Sequence, residues 1–196
     1  MSAPDAKLEL RRRLRAEVAA LSPEERAHDS ALLCGRLREQ AMWRAARSIL
    51  FFVPLRDEPD VWPLLLEALA EGRQVVLPRH SFEEDGYVGS LLRDATSDLR
   101  PGPFGILEPS SACPTFPLKQ LDFALVPGIG FALNGGRLGR GKGYYDRLLT
   151  DVPGFKCGVA FDRQVVAELP TEPHDVQLNG ILTPTRWHVV SGQARP

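Results

Sequence analysis

The sequence predicts an α/β fold with three layers (α/β/α), a mostly parallel central sheet and an N-terminal helical extension. Short apolar runs of strand length alternate with helix-like segments, which is the pattern of a parallel sheet covered on both faces. The chain has 196 residues, enough for one well-filled core, and it shows neither an internal repeat nor a linker. We therefore expect residues 1–196 to form a single domain.

The N-terminal extension is predicted to contain two helices. Apolar residues recur there at short, helix-like intervals: Leu10, Leu14, Val18 and Leu21. This spacing places them on one face of a helix. The second helix is expected to begin after Ser22, because Pro23 suits the first helical position and Glu25 can complete a capping box with Ser22. It should run to about Ala41.

The strands of the sheet are predicted from apolar runs bounded by turn residues. These runs are 48–53, 75–78, 121–127, 157–161 and 180–183. Between the first two, Asp60 is expected to cap a helix that runs through Ala70 and stops at Gly72.

The remaining segments give weaker patterns. Two short helices are predicted at 144–149 and 164–169. The region 80–117 is interrupted by Gly, Pro, Ser and acidic residues, so we expect loops over one edge of the sheet, with a strand only at 87–92.

Charge and hydropathy exclude several classes of protein. The chain has 24 basic and 25 acidic side chains and a net charge of −1, which argues against a nucleic-acid or membrane-surface binder. Its longest apolar runs are far shorter than the roughly 18–20 residues of a membrane span. We expect a monomeric cytoplasmic protein with small-molecule partners and with no nucleic-acid or membrane partner.

The cysteines and histidines carry no catalytic or metal-binding pattern. The three cysteines, Cys34, Cys113 and Cys157, are far apart and form neither a disulfide framework nor a metal-ligand spacing. This indicates a reducing compartment and packing roles. His28 and His80, like His188, have no partner at a metal-ligand spacing and are expected at the surface.

A cluster of glycines is the main functional signal. Of 17 glycines, seven fall within 128–143, directly after the predicted strand 121–127. Ligands of open parallel sheets bind outside the carboxyl ends of the strands. Alternating glycines let backbone N–H groups converge on one anion, and the following helix offers its positive end. Arg137, Arg140 and Lys142 add cationic donors, so the cluster predicts a phosphate site.

The phosphate-binding P-loop is the obvious comparison. The run from Gly136 to Lys142 fits its first seven positions, but Gly143 stands where a P-loop has the Ser or Thr that binds Mg²⁺. A metal would need another ligand, and Asp146 is the nearest candidate. From the residues alone, a glycine-rich hairpin with solvated arginines stays open as the alternative.

The segment 137–147 resembles the signature of the 5-formyltetrahydrofolate cyclo-ligases, including the paired tyrosines Tyr144 and Tyr145 and the aspartate Asp146. Other segments are similar to further parts of that family in the same order: 7–11, 21–26, 57–58, 104–109 and 173–176. The resemblance implies ATP-driven cyclisation of 5-formyltetrahydrofolate to 5,10-methenyltetrahydrofolate, with ADP and phosphate as products and Mg²⁺ required. It also implies a phosphorylated formyl intermediate, an iminium phosphate.

Carried over residue by residue, the resemblance implies three groups of site residues and a catalytic set. The ATP group is Lys7, Arg11, Arg137, Leu138, Gly139, Arg140, Gly141, Lys142, Gly143, Tyr144 and Tyr145. The folate group is Val53, Glu58, Phe104, Arg140 and Tyr144. Asp146 and Asp175 correspond to the Mg²⁺ ligands. Arg140, Lys142 and Tyr144 are expected to act in catalysis.

Considered without the resemblance, some of these residues have plainer explanations. Lys7 and Arg11 share a helix face, which is also how an ordinary solvated basic face is spaced. Asp175 is most simply a loop aspartate in an Asx-turn. Phe104, a lone loop aromatic, is most simply a core residue.

Two residues depart from the family pattern, although neither departure removes a proposed ligand. Asn179 stands where many members have an aspartate, and Pro59 follows Glu58 where valine or isoleucine is common. Asn179 could weaken support for the metal, and Pro59 could shift the folate loop.

The alternative functions are a non-catalytic nucleotide- or RNA-binding relative and another small-molecule ATP-dependent phosphotransferase. The retention of Arg140, Lys142 and Asp146 speaks against a non-catalytic relative.

Overall fold

The computed structural model describes residues 3–190 except 85, 104, 171, 173 and 174. Its α-helices are α1 (Ala3–Ala19), α2 (Pro23–Arg38), α3 (Ala41–Ala45), α4 (Trp62–Ala70) and α5 (Tyr144–Thr150). Its strands are β1 (Ser48–Leu50), β2 (Gln74–Ser81), β3 (Gly86–Leu92), β4 (Leu99–Pro101), β5 (Leu107–Pro109), β6 (Phe123–Val126), β7 (Gly130–Ala132), β8 (Arg137–Leu138), β9 (Phe155–Val159), β10 (Val165–Val166), β11 (Gly180–Leu182) and β12 (Trp187–Val189).

The central sheet has seven strands in the order β12-β11-β9-β6-β1-β2-β3. The five inner strands run parallel, and β3 and β12 pair antiparallel at the two edges. Parallel strands must be covered on both faces, and their short apolar runs reflect that burial. The prediction of a mostly parallel sheet is confirmed.

Helices cover both faces of this sheet. Because side chains alternate across a strand, Ile49 packs against α2 and α4 in one cluster, whereas Leu50 packs with Leu148 of α5 in another. Cys34 and Cys157 are buried in the first cluster, as their packing role requires. The predicted three-layer α/β/α arrangement is therefore confirmed.

The N-terminal helices follow their sequence signals. Ser22 accepts a hydrogen bond from the Glu25 N–H at 3.1 Å, and the Glu25 carboxylate accepts one from the Ser22 N–H at 2.7 Å. This is the predicted capping box, although α2 ends at Arg38 and a separate helix follows. The helix after β1 begins one residue later than expected: Val61 is its N-cap, and Asp60 accepts from the Trp62 N–H at 2.9 Å.

The helix predicted at 164–169 is absent, because this segment joins a second, three-stranded sheet. Val165 and Val166 form β10 and pair with β7, which also pairs with β8. Gln164 is buried and its amide donates to the carbonyls of Gly128 and Ile129 at 3.0 and 3.2 Å. Strand pairing and this buried amide outweigh the local helical pattern.

The glycine-rich region and the region 80–117 are also more regular than predicted. Strands β7 and β8 form a hairpin inside the glycine cluster. Strands β2 and β3 extend into a long antiparallel hairpin, and β4 and β5 form a separate two-stranded ribbon. Among the described residues, no helix combines the length and apolar character needed to cross a membrane.

Candidate active site

A cavity of about 400 Å³ opens at the carboxyl ends of the central strands. The segments that follow β1 and β6 form its floor, with Phe52 and Pro127 among the lining residues. The described residues predicted to bind ATP, folate or metal all line this cavity: Lys7, Arg11, Val53, Glu58, Arg137, Leu138, Gly139, Arg140, Gly141, Lys142, Gly143, Tyr144, Tyr145, Asp146 and Asp175. Phe104 lies outside the described residues. The fold thus brings these residues, from four distant segments of sequence (7–11, 53–58, 137–146 and 175), to one place.

One side of the cavity, the glycine-loop wall, is formed by residues 137–143. Gly141 and Gly143 have φ values of 101° and 66°, in the left-handed region that side chains with a Cβ rarely adopt. Gly143 is also the N-cap of α5, so the loop runs straight into the first turn of that helix. Lys142 is exposed at the tip of the loop. The glycines predicted to shape this loop therefore have a conformational reason to be glycine.

Arg137 anchors the start of the glycine-loop wall from inside the protein. Its side chain is 4% exposed and donates to Asp146 Oδ1 at 2.8 Å and to the Pro127 carbonyl at 3.3 Å. A Cβ built on Gly139 would lie 2.9 Å from an Arg137 nitrogen. Arg137 thus joins the end of β6 to the first turn of α5, and Gly139 leaves room for it.

Helix α1 contributes the two basic residues expected from the sequence. Arg11 donates from Nε to the Gly139 carbonyl at 2.9 Å. Lys7 is 8% exposed, and its Nζ lies 2.6 Å from Glu172 and 3.1 Å from Asp175. Burial lowers the pKa of Lys7, but the hydrogen bonds to the two carboxylates outweigh it and raise the pKa above its ordinary value. These residues are therefore not an ordinary solvated basic face.

Asp146 and Asp175 are the candidate metal ligands. Each is bound to a cation, Asp146 to Arg137 and Asp175 to Lys7, and Asp175 also accepts from the Glu172 N–H at 2.7 Å. Mg²⁺ binds hard oxygen ligands and usually takes one or two carboxylates together with substrate phosphates. No group of three or more metal-binding side chains occurs within the described part of the chain. Two carboxylates beside a cationic loop fit a metal that arrives with a polyphosphate.

Glu58 and Arg140 are bound to each other across the cavity. The Arg140 guanidinium donates to Glu58 Oε1 at 2.9 Å and to Asp57 at 2.6 Å. Glu58 Oε2 accepts from the Leu55 N–H at 3.0 Å. Burial raises the pKa of Glu58, and Arg140 acts in the opposite direction. Arg140 therefore links the glycine loop to Asp57 and Glu58, in the segment that follows β1.

The opposite side, the acidic-aromatic wall, consists of Glu58, Tyr87 and Glu108. Burial, followed by the charge of Glu108, raises the pKa of Tyr87 to about 12, so its hydroxyl stays protonated. Behind this wall, His80 meets the rings of Tyr87 and Tyr144 edge-on at 5.7 and 6.1 Å. The expectation that His80 is a surface group is wrong, because the β2–β3 hairpin carries it into this ring cluster.

Sequence reasoning assigned no role to several residues of the cavity. Tyr87 and Glu108 lie on β3 and β5, in the region expected to be mostly loop. Glu172 was also missed, although it holds Lys7. Its position three residues before Asp175 was the only signal available.

Asn179, one of the two departures, has a structural role. Its side-chain oxygen accepts from the Lys156 N–H at 2.8 Å, and its own N–H donates to the Lys156 carbonyl at 2.9 Å. It therefore ties the start of β11 to β9. Pro59, the other departure, is buried next to Glu58.

These features define an α/β protein with a glycine-rich, cation-lined cavity at the carboxyl edge of a parallel sheet. A family model described as the 5-formyltetrahydrofolate cyclo-ligase family matches residues 3–184. The chain belongs to the 5-formyltetrahydrofolate cyclo-ligase family. The resemblance inferred from segment 137–147 is confirmed, and the chain is a member of a family of ligases.

Two relatives and a solved structure are similar to this chain over most of its length. The 5-formyltetrahydrofolate cyclo-ligase of Escherichia coli K12 is 31% identical over 172 residues, covering 85% of this chain and 94% of that protein. That of Mus musculus is 27% identical over 193 residues, covering 90% and 93%. The Aquifex aeolicus 5,10-methenyltetrahydrofolate synthetase structure superposes with a TM-score of 0.85 at 32% identity, covering 97% of this chain and 95% of the other.

Proposed function

We propose that this protein catalyses the ATP- and Mg²⁺-dependent cyclisation of 5-formyltetrahydrofolate to 5,10-methenyltetrahydrofolate, releasing ADP and phosphate. The observation that carries the proposal is the convergence, in one cavity, of a cationic glycine loop and a buried carboxylate wall in a chain of this family. The relatives are named for 5-formyltetrahydrofolate, which supports it as the substrate.

The reaction requires activation of a poorly reactive formyl group. The formyl oxygen attacks the γ-phosphorus of ATP, the bond from that phosphorus to the ADP oxygen breaks, and an iminium phosphate forms. The second folate nitrogen then attacks the formyl carbon, and the carbon–oxygen bond breaks to release phosphate with the original formyl oxygen. The proton of that nitrogen is lost as the ring closes.

The chain supplies positioning and charge neutralisation for this transfer. Phosphoryl transfer needs little covalent help, so cationic donors and backbone N–H groups fixed in place are the main catalytic resource. Lys142 and Arg140 are the proposed donors to the transferred group, and the Tyr144 ring lies 6.0 Å from the Lys142 Nζ and 5.4 Å from the Tyr87 ring of the acidic-aromatic wall. When bound at Asp146 and Asp175, Mg²⁺ would neutralise phosphate charge.

The test is to incubate the protein with 5-formyltetrahydrofolate, ATP and Mg²⁺ and to follow the near-ultraviolet absorbance of the methenyl product. We expect absorbance to rise only when all three are present, with ADP formed in equal amount. Absence of an ATP-dependent rise would contradict the proposal. ATP hydrolysis that is independent of the folate would instead favour another ATP-dependent enzyme.

A further inference from the structure

Glu108 is a buried carboxylate in the cavity wall to which the proposed reaction assigns no role. It lies on β5 and is 6% exposed. Its Oε2 accepts from the His80 N–H at 2.8 Å, which fixes the carboxylate against the β2–β3 hairpin. Its Oε1 is buried and has no hydrogen-bond partner among the described residues. Because an acceptor buried without a partner is costly, Oε1 is suited to a donor that comes from a ligand.

The other buried carboxylate of the wall is already occupied. Both oxygens of Glu58 accept hydrogen bonds, one from Arg140 and one from the Leu55 N–H. A ligand donor would have to share Glu58 with a guanidinium, whereas at Glu108 the donor nearby is the neutral Tyr87 hydroxyl, and Oε1 makes no hydrogen bond within the described part of the chain. Of the two buried carboxylates, Glu108 is therefore the one with an oxygen that makes no hydrogen bond to the described residues.

The surroundings of Glu108 hold it in place and favour a flat ligand. A Cβ built on Gly102 would lie 2.5 Å from Glu108 Cδ and 2.7 Å from its Oε1, so the carboxyl group, Oε1 included, is packed close to bare backbone on that side. Tyr87 lines the same cavity, and its ring meets that of Tyr144 edge-on at 5.4 Å. Aromatic faces beside a fixed acceptor suit a planar ring that has N–H groups at its edge.

We infer that Glu108 Oε1 accepts a hydrogen bond from an N–H donor of the pterin ring and so helps to select the folate substrate. This inference rests on the proposed function. The pterin ring of 5-formyltetrahydrofolate carries an amino group and ring N–H groups at its edge, whereas a triphosphate is repelled by a carboxylate and attracted to the glycine-loop wall. The adenine amino group of ATP is the competing donor, and binding measurements distinguish the two.

The test compares the Glu108→Gln variant with the wild-type protein by direct titration of each ligand without the other. The amide keeps an oxygen for the His80 N–H but removes the charge. We expect the Kd for 5-formyltetrahydrofolate to rise by about 10- to 100-fold, the loss typical of a hydrogen bond to a charged group, with the Kd for ATP unchanged. The control is Glu67→Gln, an exposed carboxylate on α4 outside the cavity, which should change neither Kd.

A second variant guards against a purely structural effect of the first. Gly102→Ala keeps the carboxylate but forces it to move, so it should also weaken folate binding and leave ATP binding unchanged. Thermal unfolding of both variants shows whether the fold persists, and if Glu108→Gln fails to fold, Gly102→Ala decides. The inference is overturned if the affinities for both ligands fall equally, if only the affinity for ATP falls, or if folate binding is unchanged. A wild-type protein that does not bind 5-formyltetrahydrofolate overturns the proposed function itself.

Discussion

The two walls of the cavity differ in charge and in exposure. The glycine-loop wall presents the cations Arg140 and Lys142 on its exposed part, residues 140–142, while Arg137 is buried behind them. The acidic-aromatic wall presents carboxylates that are almost fully buried, since Glu58 and Glu108 are 8% and 6% exposed. A polyphosphate brings charge that an exposed cationic loop can meet, whereas a ring with neutral donors gains most from fixed, desolvated acceptors. Arg140 joins the two walls through its bond to Glu58.

The anchoring of the glycine loop is where the largest effect on stability is expected. Replacing Arg137 with Met leaves Asp146 without its buried cation, and we expect the free energy of unfolding to fall by about 3 kcal/mol. The exposed pair of Arg38 and Glu67, with side chains 42% and 45% exposed, is the matched control. Arg38→Met should cost less than about 1 kcal/mol in urea unfolding. Equal losses in the two variants would mean that Arg137 does not anchor the loop.

The tip of the glycine loop should matter for turnover and not for folding. Lys142 is exposed, so Lys142→Ala should leave the unfolding temperature unchanged and reduce turnover by about 100-fold or more, through loss of one preorganised stabilising group. Lys119→Ala, an exposed lysine outside the cavity, is the control and should keep full activity. Near-normal turnover in Lys142→Ala would contradict a role in charge neutralisation.

Replacement of glycine by alanine should have opposite effects on stability in the glycine loop and in helix α2. At Gly141, with φ at 101°, alanine is strained and should destabilise the protein by roughly 1–2 kcal/mol or distort the loop and weaken ATP binding. At Gly35, inside α2 with open space where a Cβ would be placed, alanine should stabilise by about 0.5–1 kcal/mol. Urea unfolding and ATP titration check both. A Gly141→Ala variant that is stable and binds ATP normally would show that the loop does not need glycine there.

The acidic-aromatic wall predicts a smaller effect, visible in the pH dependence of stability. The pKa of Glu58 is raised above 4.5 by burial, so the folded state holds its proton more tightly than the unfolded state does. Its stabilising contribution is complete below pH 4.5 and is lost as pH rises through the raised pKa. The unfolding free energy of wild type relative to Glu58→Gln should therefore decline across that window. A difference that grows with pH would mean that the bond to Arg140 dominates instead.

Sequence patterns predicted the elements whose signals are local. The capping box at Ser22, the apolar run at β6 and the glycine cluster each depend on neighbouring residues, and all are present in the fold. The helix expected at 164–169 was wrong because Val165 and Val166 find a strand partner in β7, which is distant in sequence.

The site was predicted less evenly, and the reason is again distance along the chain. Motif-based residues such as Lys142 and Asp146 reach the cavity as expected. Glu108 and Tyr87 were not recognised as site residues. The strand that carries Tyr87 was predicted at 87–92, but neither its pairing with β2 nor the ribbon that carries Glu108 was, because both depend on pairing between segments. The pairing of Arg140 with Glu58, 82 residues apart, could not be read from either motif alone.

The most direct test of the proposed reaction follows the formyl oxygen. This oxygen is transferred to phosphate only if ATP and folate meet across the two walls. The substrate is prepared with a heavy oxygen isotope in the formyl group and converted with ATP and Mg²⁺ in ordinary water. Mass spectrometry of the released phosphate should then find one heavy oxygen in each phosphate. Phosphate that carries only ordinary oxygen, with the label released into water, would contradict a phosphorylated formyl intermediate.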